Sequence, residues 1–239
     1  MMMSETVKLI ECFQTYQGEG PDSGRRMLLV RFKNCTKNCD FCDTQVNMRI
    51  NMEGIYTLDS LQERLDSDRL GLLITGGEPT HPKHFQDTMK LLGQLNYPVV
   101  NVETNGHNIE LMIESVNNWG SHGHNRVKFI YSPKIFGEKD RYEATSLTNR
   151  LLKQKNVYIK YPFYNTAYDH EYCRLLRQEI SDRERIGVES KGFADDRVWL
   201  MPIGANESEQ KINSAPVMDA CEKYKFNFSG RMHTIYDFL

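Results

Sequence analysis

The sequence predicts an α/β fold: a partial, incomplete parallel β/α barrel of about six units, fewer than the eight of a closed barrel. Two observations carry this. Short apolar runs alternate with segments whose apolar residues recur at helical spacing, which implies parallel strands joined by crossover helices. The residues that end the strand runs are glycine, proline, asparagine and cysteine, at the positions where parallel α/β folds bind their ligands.

Val7 to Phe13 reads as the first strand, and Met27 to Phe32, with its unbroken Met27-Leu28-Leu29-Val30, as the second. Thr57 is placed to cap a helix marked by Leu58, Leu61 and Leu65. Leu72 to Thr75 is a buried-type strand stopped by Gly76-Gly77, and Phe85, Met89, Leu92 and Leu95 trace the next helix. Then come strand Val99 to Val102, helix Ile109 to Val116, strand Val127 to Tyr131 and a helix through Leu147 to Leu152. Strand Val157 to Tyr161, a helix through Tyr172 to Ile180 and a late strand Val198 to Met201 follow. A last helix around Lys211 to Tyr224 is weakened by Pro216, which lacks a backbone N–H and crowds the preceding turn. No linker divides the chain, so 1–239 reads as one domain with a polar, charged excursion over about 181–196.

Composition narrows the class. Of 239 residues, 39% are hydrophobic and 26% charged, ordinary for a globular protein with a buried core. Lys+Arg 30 against Asp+Glu 32 leaves a formal charge of -2, which speaks against a generally basic nucleic-acid binder. No apolar run reaches the length of a membrane span and no basic-then-apolar leader opens the sequence, so the expected compartment is the cytoplasm. In a reducing compartment the six cysteines are not read as a disulfide framework. Cys35, Cys39 and Cys42 cluster on one predicted loop, 33–44, while Cys12, Cys173 and Cys221 are scattered and read as small buried hydrophobes. Of the histidines, His81, His84, His107, His122, His124, His170 and His233, none forms a metal-ligand pair at helical spacing.

The chemistry follows the strands. After Met27 to Phe32 come the three cysteines; after Leu72 to Thr75, Gly76-Gly77-Glu78-Pro79; after Val99 to Val102, Glu103-Thr104-Asn105-Gly106; after Val127 to Tyr131, Ser132-Pro133-Lys134. Turn-forming residues alone explain any one of these turns, but not the cysteines. Three thiolates spaced x3 and x2 reach one metal centre from one loop. An iron–sulfur cluster with three protein ligands keeps one iron open to a small chelating molecule. A structural zinc completed by a distant His or Cys is the alternative that spacing leaves standing.

Cys35-x3-Cys39-x2-Cys42, with Phe41 before the third cysteine, resembles the cluster loop of the radical S-adenosylmethionine enzymes. Gly76-Gly77-Glu78-Pro79 resembles the second signature of that superfamily. A closer resemblance, over nearly the whole chain, is to the 7-carboxy-7-deazaguanine synthase family. It is carried by Tyr16-Gln17-Gly18-Glu19-Gly20-Pro21, Val30-Arg31, Cys42-Asp43-Thr44, Glu103-Thr104-Asn105-Gly106 and Ser132-Pro133-Lys134. Leu200-Met201-Pro202 and Arg231-Met232-His233 fit more loosely.

The resemblance implies a homodimeric lyase that contracts 6-carboxy-5,6,7,8-tetrahydropterin to 7-carboxy-7-deazaguanine with loss of ammonia. Cys35, Cys39 and Cys42 would bind a 4Fe–4S cluster, and S-adenosylmethionine would chelate its fourth iron. An electron donor such as flavodoxin or ferredoxin would feed the cluster. Phe41, Cys42 and Asp43 would line the adenine end of the cofactor, and Gly77, Glu78, Gly106, Ser132, Pro133 and Lys134 would contact the rest. Tyr16, Gln17, Gly18, Glu19, Arg31 and Thr104 would hold the substrate, with Arg31 presenting a planar fork to its carboxylate. Thr44 would be a magnesium ligand. The family's pattern departs where Asn34 stands in place of the glycine before the first cysteine, and Gln45 to Tyr56 and Ser181 to Asp196 do not match it clearly. Two rivals remain: an activase that installs a glycyl radical on a partner protein, and a non-catalytic zinc-binding module. The Gln17 to Arg31 block argues against the first.

Overall fold

The structure, a computed structural model, describes residues 5–39, 42, 53–119, 126–188 and 195–236. Contacts gather the chain into two compact units, 1–17 with 24–129, and 18–23 with 130–239. It is α/β with mostly parallel strands.

In the first unit, β1 (Thr6–Leu9) pairs antiparallel with β4 (Gly54–Thr57). The main sheet there runs in the order β2 (Glu11–Tyr16), β3 (Arg26–Phe32), β5 (Gly71–Gly76) and β6 (Val100–Thr104). β3, β5 and β6 are parallel, and β2 is antiparallel to β3. The expected first strand, Val7 to Phe13, is therefore two. The chain breaks at Ile10, whose N–H already belongs to the new ladder through the Arg31 carbonyl (2.8 Å).

Register sorts the side chains into two faces. Leu28, Val30, Phe32, Leu72, Ile74, Val100 and Val102 share one and are fully buried. This is the helix side. There Phe32 stacks on His84 (centroids 4.8 Å), and Gln14 reaches Asp68 of α1 (Leu58–Asp68) at 2.8 Å. The other face begins apolar, with Met27, Leu29, Leu73 and Val99 packed together beside Phe13. It turns polar along the strands through Arg31, Thr75, Asn101 and Glu103.

Local signals set the helix ends. Thr57 accepts the Ser60 N–H at 3.1 Å as expected of a cap, and Arg69 in the left-handed region (φ 53) stops α1. α2 (Phe85–Gln94) and α3 (Ile109–Asn117) follow the predicted spacings. β7 (Val127–Tyr131) straddles the division of the chain into units.

The second unit holds α4 (Glu138–Leu151), β8 (Val157–Phe163), α5 (Ala167–Arg185), β9 (Val198–Pro202), α6 (Glu207–Tyr224), β10 (Asn227–Phe228) and α7 (Met232–Tyr236). β8, β9 and β10 run parallel. α4 and α5 start well before the apolar spacing that announced them, because their first turns are polar. A Thr166–Asp169 capping box opens α5. α6 keeps Pro216 inside it. The carbonyl one turn earlier, on Ile212, loses its partner, but Ile212 is 74% exposed and water can take that place. Cys173 and Cys221 are buried as expected; Cys12 is only half-buried, with Arg64 against its carbonyl (3.2 Å).

Candidate active site

In the first unit the cluster loop begins where β3 ends. Gly77 N–H donates to the Phe32 carbonyl (2.8 Å) and Glu78 N–H to the Asn34 carbonyl (2.7 Å), so the Gly-Gly-Glu turn is laced onto the strand end that launches the cysteines. Both glycines are required by closeness. A Cβ on Gly76, whose φ is 131, would overlap the Phe32 backbone, and one on Gly77 would overlap the Asn34 carbonyl. From the helix side, His84 Nε2 accepts the Asn34 N–H at 3.2 Å. Asn34 needs no left-handed backbone; its φ is not positive.

Cys35 is exposed, Cys39 buried and Cys42 half-buried, and none of the three is in a disulfide. Cys42 N–H closes a turn onto the Cys39 carbonyl (3.1 Å). Two N–H groups point at Cys35 Sγ, from the Lys37 backbone (3.4 Å) and the Asn105 side chain (3.5 Å). Burial raises the Cys35 pKa; the Lys37 N–H opposes this, and the negative charges of Glu78 and Cys42 add to it. Among the described residues no three His, Cys, Asp or Glu side chains gather as ligands of a metal ion. The donor set suits an iron–sulfur group: three thiols outside any disulfide on one loop, with N–H donors aimed at the Cys35 sulfur. Phe41, Asp43 and Thr44 lie outside the described residues.

Glu78 is fully buried and both its oxygens are engaged. Oε1 receives the Thr80 N–H (3.0 Å), the Thr80 hydroxyl (2.6 Å) and the Thr104 hydroxyl (2.7 Å); Oε2 receives the Asn105 N–H (2.6 Å). Burial nevertheless pushes its pKa up, because every one of these donors is neutral. The Glu78 carboxylate thus clamps the turn after β5 to the turn after β6. Gly106 supplies the left-handed backbone (φ 98) of the second turn.

The polar face of this unit holds Arg31, Gln17 and Glu103. Arg31 Nε meets Glu11 Oε2 at 2.5 Å, its cross-strand neighbour in register. Gln17, buried, donates to Glu103 Oε1 at 3.3 Å. Asn101 shares this face, buried, with neither side-chain polar atom partnered among the described residues. Tyr16 falls by alternation on the other face and is exposed.

The second unit contains a separate ionic cluster. Glu19 Oε2 receives Lys160 Nζ at 2.6 Å; Oε1 receives Arg231 Nε at 2.9 Å and lies 3.7 Å from His233 Nε2. Burial alone would raise the Glu19 pKa, but Lys160, Arg231 and His233 together hold it well below the usual carboxylate range. The turn around Glu19 is pinned to the C-terminal segment: Met232 N–H donates to the Gly18 carbonyl (3.0 Å), and Gly20 N–H to Ser229 Oγ (2.8 Å). A Cβ on Gly18 would strike the His233 ring. In the same unit Lys134 Nζ donates to Ser132 Oγ at 2.8 Å, and Pro133 is buried. Lys160 was not foreseen: it stands 141 positions from Glu19 on a strand that reads as ordinary β. Asn105 and the Glu103 carboxylate were missed as well, although they adjoin the predicted Thr104.

No protein-family model matches the chain. A 7-carboxy-7-deazaguanine synthase from Hyperthermus butylicus is 24% identical over 242 residues, 98% of this chain and 94% of that one. The Haemophilus influenzae protein of the same name is 25% identical over 63% of this chain and 73% of its own. The crystal structure of QueE from Escherichia coli superposes with a TM-score of 0.52 at 18% identity, covering 95% of each chain, which is a likeness of fold. Parallel β/α units, a three-cysteine loop after β3 and a Gly-Gly-Glu-Pro turn after β5 are the arrangement that the resemblance to radical S-adenosylmethionine enzymes implies. Over nearly its whole length the chain is similar to the 7-carboxy-7-deazaguanine synthases.

Proposed function

We propose that the protein converts 6-carboxy-5,6,7,8-tetrahydropterin to 7-carboxy-7-deazaguanine with loss of ammonia, as a radical S-adenosylmethionine lyase of 7-deazaguanine biosynthesis. The observation that carries this is the lacing of Gly77 and Glu78 onto Phe32 and Asn34, which fixes the start of the three-cysteine loop against the second signature. Cys35, Cys39 and Cys42 hold the 4Fe–4S cluster. The cluster they would hold would supply an electron for reductive cleavage of S-adenosylmethionine.

The chain's own residues bind and orient. Gly77, Gly106, Ser132, Pro133 and Lys134 contact the cofactor. Glu78 contributes through its backbone, since its carboxylate is spent on the clamp. Arg31 receives the substrate carboxylate. Gln17 and Glu19 read the donor and acceptor groups of the pterin ring. Thr44 ligates magnesium, Phe41 and Asp43 flank the adenine, and Gly18 and Thr104 complete the substrate shell; Tyr16, exposed on the opposite face, stands outside it. The protein acts as a cytoplasmic homodimer fed by a flavodoxin or ferredoxin; no helix among the described residues is long and apolar enough to cross a membrane.

The test is anaerobic reconstitution with iron and sulfide, followed by reductant, S-adenosylmethionine, magnesium and the pterin, with mass spectrometry of the products. 7-Carboxy-7-deazaguanine should form, and Cys39→Ala should abolish it. 5'-Deoxyadenosine alone would keep the radical chemistry and reject the substrate. Zinc in place of iron, with neither product, would reject the enzyme.

A further inference from the structure

We infer that Asn105 is a positioning residue for the iron–sulfur group: its side-chain amide donates to the Cys35 sulfur and remains its N–H···S partner when the cluster is held. This rests on the cofactor reading above and adds to it a residue outside the cysteine and Gly-Gly-Glu-Pro motifs.

The amide's orientation is settled by its partners. The backbone N–H of His107 lies 3.2 Å from Asn105 Oδ1, and an N–H can be received only by the oxygen end. Nδ2 therefore faces the cluster loop, 3.5 Å from Cys35 Sγ and 3.1 Å from Thr36 Oγ1. The Thr36 hydroxyl is also 3.4 Å from Oδ1, so the amide straddles it.

The backbone beneath this amide is held from the second signature. Asn105 N–H donates to Glu78 Oε2 (2.6 Å), and Glu78 N–H donates to the Asn34 carbonyl (2.7 Å). Asn34 is bonded covalently to Cys35, whose sulfur takes the Asn105 amide. The four residues close a ring in which the first cysteine is gripped by its backbone on one side and its sulfur on the other. Gly106, left-handed, lets the turn close by bringing its N–H to Thr104 Oγ1 at 3.0 Å. Glu78 is thus the residue that places Asn105, and Asn105 the residue that places Cys35.

N–H donors to a cluster's thiolates stabilise the more negative, reduced form and so raise the reduction potential; they also slow loss of the metal. The other donor, the Lys37 backbone N–H, is out of reach of side-chain substitution. Asn105 supplies the side-chain share.

The test uses the full chain reconstituted with iron and sulfide. Asn105→Asp keeps the oxygen that receives His107, so the turn survives, but sets an acceptor against sulfur. Asn105→Ala removes the donor together with the oxygen that receives the His107 N–H. Both should shift the cluster's midpoint potential to more negative values in a redox titration followed by electron paramagnetic resonance, Asp further than Ala. Iron release to a chelator should quicken by about tenfold. Thr36→Val should shift both in the same direction by less. Wild-type potential and release in Asn105→Asp would overturn the inference and leave the proposed function intact. A wild-type protein that assembles no 4Fe–4S cluster would overturn both.

Discussion

Two glutamates, fully buried Glu78 in one unit and largely buried Glu19 in the other, are pushed in opposite directions. Glu78 receives four hydrogen bonds, all from neutral N–H and O–H groups, and burial still raises its pKa. Burial acts on Glu19 in the same direction, yet Lys160, Arg231 and His233 hold it well below the usual range. Hydrogen-bond count does not separate them; formal charge on the partners does. The neutral clamp at Glu78 fixes backbone geometry beside the cysteines. The charged cluster at Glu19 ties a glycine turn to a C-terminal segment.

The largest effect should come from breaking the charged cluster. Lys160 is only 4% exposed, so Glu19→Ala leaves an ammonium buried without its carboxylate. Loss of one partner of a buried pair costs about 3–5 kcal/mol. Denaturant unfolding of Glu19→Ala should show that loss, and Glu19→Ala with Lys160→Met should recover much of it. A single variant as stable as wild type would mean that the cluster is solvated and that its geometry alone does not lower Glu19.

How far this contrast was legible in the sequence depends on distance along the chain. The strands β3 and β5 announce themselves by continuous apolar runs, and β6 by valines alternating with polar residues. The Gly76-Gly77 turn is legible as punctuation, and its cysteine neighbour as chemistry. β4 is too short and too mixed to show, and the break at Ile10 is invisible because Val7 to Phe13 keeps strand-forming residues throughout. Pro216 misled for a physical reason: its missing N–H matters little where the orphaned carbonyl can reach water. Glu19 is conspicuous in its glycine turn, but Lys160 sits in β8 with no local mark. A pair 141 positions apart is written only in the fold. Glu78 was readable as a motif residue and not as a clamp, since Thr80, Thr104 and Asn105 become its partners only when two turns meet.

The next effect separates the two glutamates by pH. For Glu78, the folded pKa lies above the ordinary value of about 4.3. The folded state therefore holds its proton longer, and stability falls as pH rises from the ordinary value through the raised one. Glu19 is the reverse: its stabilisation is full above the ordinary value and is lost as pH falls through the depressed one. Glu78→Gln should cost about 1–3 kcal/mol at neutral pH, because an NH2 then opposes the Asn105 N–H. That deficit should widen as pH falls through the raised pKa of Glu78, where the wild type regains stability and the glutamine variant does not. Glu19→Gln should differ most from wild type at neutral pH and converge on it in acid. Parallel curves for the two variants, measured by denaturant unfolding from pH 7 downward, would erase the contrast.

Arg31 and Glu11 supply the third and smallest case, a carboxylate paired with a cation at a half-open strand edge. Their side chains are 19% and 30% exposed, so water screens what Lys160 and Glu19 feel in full. Glu11→Gln should change stability by less than about 1 kcal/mol. The informative substitution is on the other partner. Arg31→Lys keeps the charge and the cross-strand attraction but removes the planar fork, so a purely structural Arg31 would tolerate it. If Arg31 receives the substrate carboxylate, Arg31→Lys should raise KM for the pterin about tenfold or more while unfolding stays within the Glu11→Gln range. Cofactor cleavage without substrate should not change. An unaltered KM would leave Arg31 as a strand-edge ion pair and move carboxylate recognition elsewhere on that polar face.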